Sequence, residues 1–197
     1  MNLPNKITMG RIILAIVIIL ILIFPFHEIN VKWPTYLLAG KININIKYIV
    51  AGVLFMIASF TDFLDGAIAR KKNIVTDFGK VMDAIADKIL VNGVLIALAY
   101  DGFLPIAIPI IIISRDTFVD SIKMVAGSKG KAVAASIWGK IKTVFMMVGL
   151  TMIFFYNLPF ELFNVSLGYY LVVIATVLSV YSGFQYYIVN KKYLKAK

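Results

Sequence analysis

Four aspartates hold the densest chemistry in this sequence: Asp62 and Asp65, three residues apart, and Asp83 and Asp87, four apart. Either spacing puts both carboxylates of a pair on one face of a helix. The helices that carry the pairs are predicted at about 47–69 and 80–100, and the short connection between them makes them antiparallel neighbours. Four carboxylates then converge on one spot. A carboxylate inside a membrane span costs roughly 2.5–3.5 kcal/mol on insertion scales, and four together also repel one another. Divalent cations answer both problems. Oxygen ligands with no histidine or cysteine nearby point to Mg²⁺ or Mn²⁺, with Ca²⁺ also open. Such ions usually meet phosphate oxygens, and a pair of them can stabilise a phosphoryl-type displacement. The neighbours suit that chemistry. Gly66 and Ala69 leave room for the flat group of a ligand, Arg70 can grip phosphate with two hydrogen bonds, and Gly79 allows close backbone approach. The same small residues would equally serve tight helix packing.

The elements that must position these groups read as membrane helices. Hydrophobic residues make up 61% of the 197, charged residues only 15%, and mean hydropathy is +0.91, far from the balance of a soluble domain. Apolar runs predict six spans, at about 7–26, 47–69, 80–100, 102–122, 139–157 and 166–190. The expected fold is all-α and integral to the membrane, one six-helix domain over 1–197. The first apolar run follows Lys6 and Arg11 as a leader peptide would, but no small-residue cleavage site follows it, so it is predicted to stay as the first helix. The sequence has no cysteine, so disulfides and thiolate metal sites are excluded.

Basic residues set the orientation. Fifteen fall on one side: Lys6 and Arg11; Arg70, Lys71, Lys72 and Lys80; Lys123, Lys129, Lys131, Lys140 and Lys142; and Lys191, Lys192, Lys195 and Lys197. Only Lys32, Lys41 and Lys47 fall on the other, so both termini are expected in the cytoplasm. Under this topology Asp62, Asp65, Asp83, Asp87, Arg115, Asp116, Asp120, Lys140 and Lys142 all lie in the cytoplasmic part of a span. A polar cavity open to the cytoplasm accounts for that better than a pore does. The net charge of +10 suits anionic lipid and anionic substrates; with the basic residues spread between spans, nucleic acid is not an expected partner. His27, the one histidine, falls in the outward loop and takes no catalytic part, so Ser59, Ser114 and Ser136 lack the partner a serine hydrolase needs. The segment 127–131 lacks P-loop spacing and reads as a basic loop. Trp33, Tyr186 and Tyr187 read as interface anchors and packing.

The run Asp-x2-Asp-Gly-x2-Ala-Arg-x8-Gly-x3-Asp-x3-Asp, from Asp62 to Asp87, resembles the signature of the CDP-alcohol phosphotransferases at all eight fixed positions over 26 residues. That resemblance implies six transmembrane helices, usually in a homodimer, and displacement of CMP from a CDP-linked substrate. It also implies roles. Asp62, Asp65, Asp83 and Asp87 would ligate two Mg²⁺ or Mn²⁺ ions with no organic cofactor. Asp87 would also be the base that activates the acceptor hydroxyl, while Asp62, Gly66, Ala69, Arg70 and Gly79 would hold the CDP moiety.

Beyond the signature, 2–12, 76–80, 86–88 and 139–143 are similar to the phosphatidylglycerophosphate synthases of bacteria. This implies CDP-diacylglycerol as donor, sn-glycerol 3-phosphate as acceptor, and a place in the bacterial cell membrane with the active site facing the cytoplasm. Such a dianionic acceptor needs cations beside the metals, and Arg115, Lys140 and Lys142 supply them, with Thr143 as a further hydroxyl. Two positions depart from the family's habit: Ala84 stands where proline is common, and Asp116 where glutamate is. Inositol phosphate, serine and phosphatidylglycerol are the other acceptors to test, and a cation-transport site is the rival outside enzymes.

Overall fold

The computed structural model describes residues 3–71, 77–130 and 137–194. Six α-helices account for most of them: α1 (Leu3–Ile23), α2 (Ile46–Lys71), α3 (Asp77–Tyr100), α4 (Ala107–Ser128), α5 (Ile137–Phe154) and α6 (Leu167–Leu194). Each overlaps one predicted span. Among the described residues, three segments are both long and apolar enough to cross a membrane, Asn5–Ile23, Ile137–Phe154 and Leu167–Lys191. The sequence predicts six. In α3 and α4 the charged residues Asp83, Asp87 and Lys88, and Arg115, Asp116, Asp120 and Lys123, break the apolar runs, whereas in α2 the side chains from 63 to 70 lie outside the described residues.

The helices close into a ring. α1 packs on both α2 and α3, α2 on α5, α5 on α6, α6 on α4, and α4 on α3. The expectation that α2 and α3 lie side by side is therefore refined, since α1 joins them. The spacing on α1 shows why: Thr8, Arg11, Ala15, Ile18 and Leu22 recur every three or four residues and are all buried. On other faces Ile13, Leu20, Ile110, Val144, Val177 and Ile188 are each more than half exposed. An apolar core inside an apolar surface is the pattern of a protein whose solvent is lipid.

α5 and α6 approach through glycine. A Cβ at Gly168 would lie 2.8 Å from the Gly149 carbonyl oxygen and 2.6 Å from Asn157 Oδ1, the atom that accepts from Gly168 N–H at 2.7 Å. Gly168→Val is expected to lower the thermal midpoint and the folded yield in detergent, as overpacking of about 1–3 kcal/mol does. A midpoint equal to that of the parent protein would show that the helices can part without penalty.

The first loop is not plain coil. Strands β1 (Thr35–Leu38) and β2 (Ile42–Asn45) pair antiparallel, with Thr35 opposite Asn45 and Leu38 opposite Ile42. Ala39 and Gly40 both have positive φ, 51° and 67°, as a tight hairpin turn demands. Glycine signals that turn in the sequence but alanine does not, so the hairpin goes unpredicted and the fold is not purely helical. Asn45 Oδ1 accepts from Lys47 N–H at 2.9 Å and caps α2. At this end of the ring, Lys47 Nζ lies 3.3 Å from Asp101 Oδ2, Tyr48 donates to the same oxygen at 2.8 Å, and Asn45 N–H donates to the Tyr156 hydroxyl at 2.8 Å. The sequence reading puts Lys47 on this side, at the head of a span, but gives it no partner. Asp101, between two predicted spans, is that partner, and the two charges neutralise each other.

Candidate active site

The inward face of α1 puts Arg11 between α2 and α3. Only 2% exposed, its guanidinium pairs with Asp62 Oδ1 through Nη1 and donates to Asp83 Oδ1 through Nη2. Asp62 and Asp83 therefore do converge, as their spacing predicts, and the cation they converge on is an arginine. Asp87, one turn beyond Asp83 on α3, lies within electrostatic reach of Arg11, Lys142, Asp83 and Asp116. Gly79 is half-buried one turn before Asp83. The backbone of α2 continues through Asp65, Gly66, Ala69 and Arg70, but the side chains of these four lie outside the described residues.

Among the described residues no three acidic, histidine or cysteine side chains are close enough together to hold a metal ion. Of the predicted set, Asp62, Asp83 and Asp87 do not form such a trio, and the side chain of Asp65 lies outside the described residues. The donors that are described nevertheless fit a divalent cation. Carboxylates from two helices face one positive charge and stay partly open, with 40% and 48% of the Asp62 and Asp83 side chains exposed. Hard oxygen donors around a required positive charge are what Mg²⁺ or Mn²⁺ selects. In the sequence Arg11 reads as a topology signal. Its sequence clue is its place at the head of an apolar helix, where a buried arginine must find carboxylates.

Next to the aspartates is a cavity of about 320 Å³, in the size range of small-molecule sites. Its lining comes from four helices: Asp87 and Lys88 of α3, Arg115, Asp116 and Asp120 of α4, Lys140, Lys142 and Thr143 of α5, and Tyr186 of α6. All three predicted acceptor-binding cations are thus brought together beside Asp87. Asp116 organises two of them, since Arg115 Nη1 lies 2.8 Å and Lys142 Nζ 3.0 Å from its Oδ1. An aspartate in place of the usual glutamate therefore still reaches both. Arg115 is held from the other side by α6, where Nε donates to the Ser179 carbonyl at 2.9 Å and Nη2 to Ser182 Oγ at 2.7 Å. Lys140 is exposed at the rim. Thr143 Oγ1 bonds back to the Gly139 carbonyl at 3.1 Å. Asp120 pairs instead with Lys88 and, at 3.3 Å, with Lys123. His27 sits exposed in the first loop. The contribution of α6 is the feature the sequence reading lacks, because its serines and tyrosine look like ordinary packing residues in an apolar helix.

Residues 1–181 match the family described as CDP-alcohol phosphatidyltransferase. A CDP-diacylglycerol–glycerol-3-phosphate 3-phosphatidyltransferase of Bacillus subtilis (strain 168) is 39% identical over 194 residues, 98% of this chain and 97% of the relative. Proteins with the same name from Rickettsia felis and Pseudomonas fluorescens are 32% and 31% identical, over 98% and 94% of this chain and 97% and 88% of their own lengths. This chain belongs to the CDP-alcohol phosphatidyltransferase family.

Proposed function

We propose that the chain transfers a phosphatidyl group from CDP-diacylglycerol to sn-glycerol 3-phosphate, giving phosphatidylglycerophosphate and CMP. The observation that carries this reading is the cavity in which Asp87 faces Arg115, Lys140 and Lys142. A base beside three cations suits an acceptor bearing both a hydroxyl and a phosphate. The full-length likeness to relatives named for this reaction supports it.

In this mechanism the Asp87 carboxylate takes the proton from the primary hydroxyl of the acceptor. The freed oxygen attacks the phosphorus nearer the lipid, the bond from that phosphorus to the CMP oxygen breaks, and CMP leaves. Arg115 and Lys142, fixed by Asp116, hold the acceptor phosphate and aim the hydroxyl. Gly66, Ala69, Arg70 and Gly79 hold the CDP moiety together with Asp62, and Arg70 faces the charge on departing CMP. Two divalent cations, held by Asp62, Asp65, Asp83 and Asp87, would supply Lewis-acid neutralisation of the pyrophosphate charge. The acyl chains are expected to stay in lipid along the apolar groove of about 370 Å³ between α2 and α5, lined by Met56, Phe60, Met147 and Met152.

The same reading includes six crossings, both termini and the active site on the cytoplasmic side, a bacterial cell membrane and a homodimer. The split of basic residues, fifteen to three, supports the orientation. The deciding experiment offers purified protein labelled CDP-diacylglycerol with each of four acceptors: sn-glycerol 3-phosphate, inositol phosphate, serine and phosphatidylglycerol. Label is expected in phosphatidylglycerophosphate. Transfer to another acceptor only would overturn the assignment. Lys142→Met is expected to raise KM for sn-glycerol 3-phosphate about 10- to 100-fold, the range for losing a charge-assisted bond, and to leave KM for the donor unchanged. A rise in both constants would place Lys142 outside the acceptor site.

A further inference from the structure

α6 carries an inward row of polar residues that the transfer reaction described so far does not use. Thr176, Ser179, Ser182, Tyr186 and Asn190 recur at intervals of three or four, on one helix face, and all five are buried. Three satisfy themselves locally. Thr176 Oγ1 donates to the Val172 carbonyl at 2.8 Å, Ser182 Oγ to the Ser179 carbonyl at 3.0 Å, and Asn190 Nδ2 to the Tyr186 carbonyl at 2.8 Å. The hydroxyls of Ser179 and Tyr186 have no hydrogen-bond partner among the described residues.

Of these two, only Tyr186 lines the cavity that also holds Asp87, Arg115 and Lys142. Its ring is clamped in a small apolar cluster with Val119 and Ile122 of α4, which leaves the residue 6% exposed. Arg115 lies close enough to act on its hydroxyl electrostatically. The backbone shape of α6 keeps the two together: a Cβ at Gly183, one turn before Tyr186, would stand 3.1 Å from Arg115 Cγ and 3.2 Å from Nε. Glycine there lets the arginine lie across the helix.

A buried phenol with no partner is uncommon and points to a missing one. The missing partner must accept a hydrogen bond, fit beside an arginine and a lysine, and be absent when the cavity is empty. A phosphate oxygen meets all three conditions. We propose that Tyr186 is an acceptor-binding residue, its hydroxyl donating to the phosphate of the bound acceptor beside Arg115, so that α6 forms one wall of the acceptor site. This rests on the reading of the cavity as the place of a phosphorylated acceptor.

Tyr186→Phe keeps the clamped ring and removes one oxygen. In full-length protein purified in detergent, with labelled CDP-diacylglycerol, the variant is expected to show KM for sn-glycerol 3-phosphate raised about tenfold. Its kcat and its KM for the donor should stay within about twofold, and equilibrium dialysis with labelled sn-glycerol 3-phosphate should show Kd raised by the same factor. The thermal midpoint should not fall, because an unpartnered hydroxyl has been removed. Unchanged KM and Kd, or equal losses for both substrates, would overturn the proposal while the wild type still makes phosphatidylglycerophosphate. A wild type that uses only an acceptor without phosphate would overturn the cavity reading, and this proposal with it.

Discussion

Asp87→Asn is expected to cut turnover by about 10²–10⁴-fold, the usual contribution of a positioned general base. Asparagine matches aspartate in shape and can still fill its place on α3, but it cannot accept the acceptor's proton. The effect should fall on kcat, because Asp87 shares the cavity with Arg115, Lys140 and Lys142, all of which the substitution leaves in place. Binding of labelled CDP-diacylglycerol should survive, since Asp62, Asp65 and Asp83 and the residues proposed around the CDP moiety are untouched. The two measurements separate roles. Turnover within tenfold of wild type removes Asp87 as the base, whereas loss of donor binding along with turnover makes it chiefly a metal ligand.

Arg11→Met should make stability depend on divalent metal. Methionine keeps most of the apolar stem that packs in the core of α1, and removes the charge that Asp62 and Asp83 share. Breaking a buried pair from one side leaves uncompensated charge and typically costs about 3–5 kcal/mol. Both aspartates are more than a third exposed, so water screens part of that and about 2 kcal/mol is the expected loss. With a chelator present, the variant should therefore melt well below wild type. Added Mg²⁺ should close most of the gap, because it restores positive charge between the same carboxylates. An equal midpoint for variant and wild type in chelator would mean that the arginine does not hold α1 to its neighbours. A gap that Mg²⁺ leaves unchanged would count against a metal at Asp62 and Asp83.

Much of this was legible in the sequence, for physical reasons that can be named. Helix positions follow from apolar runs, and carboxylates in such runs are rare enough to mark a site, so Asp62, Asp83 and Asp87 stand out at once. Arg115, Lys140 and Lys142 could be grouped because topology sends their helix ends to the same side. Other features were hidden because they depend on which helix packs on which. Arg11 reads as an orientation signal until α1 is seen lying between α2 and α3. Tyr186 looks like an interface aromatic until its ring is found against Val119 and Ile122, with its hydroxyl unpartnered among the described residues. The hairpin at 35–45 stayed invisible because one of its two positive-φ turn residues is alanine.

The order of helices around the ring divides labour along the chain. α1, α2 and α3 hold the aspartates and the signature, α4, α5 and α6 hold Arg115, Lys142 and Tyr186, and the two trios touch through α3 with α4 and α2 with α5. On the proposed reading, the nucleotide-binding signature falls before residue 101 and the cations of the acceptor site after residue 106, while Asp87 of α3 and the groove between α2 and α5 belong to both halves. Exchanging the second half would then change the cations that meet the head group and leave the metal and nucleotide residues in place. Chimeras joined at 101–106 would carry the donor preference of one parent and the acceptor preference of the other.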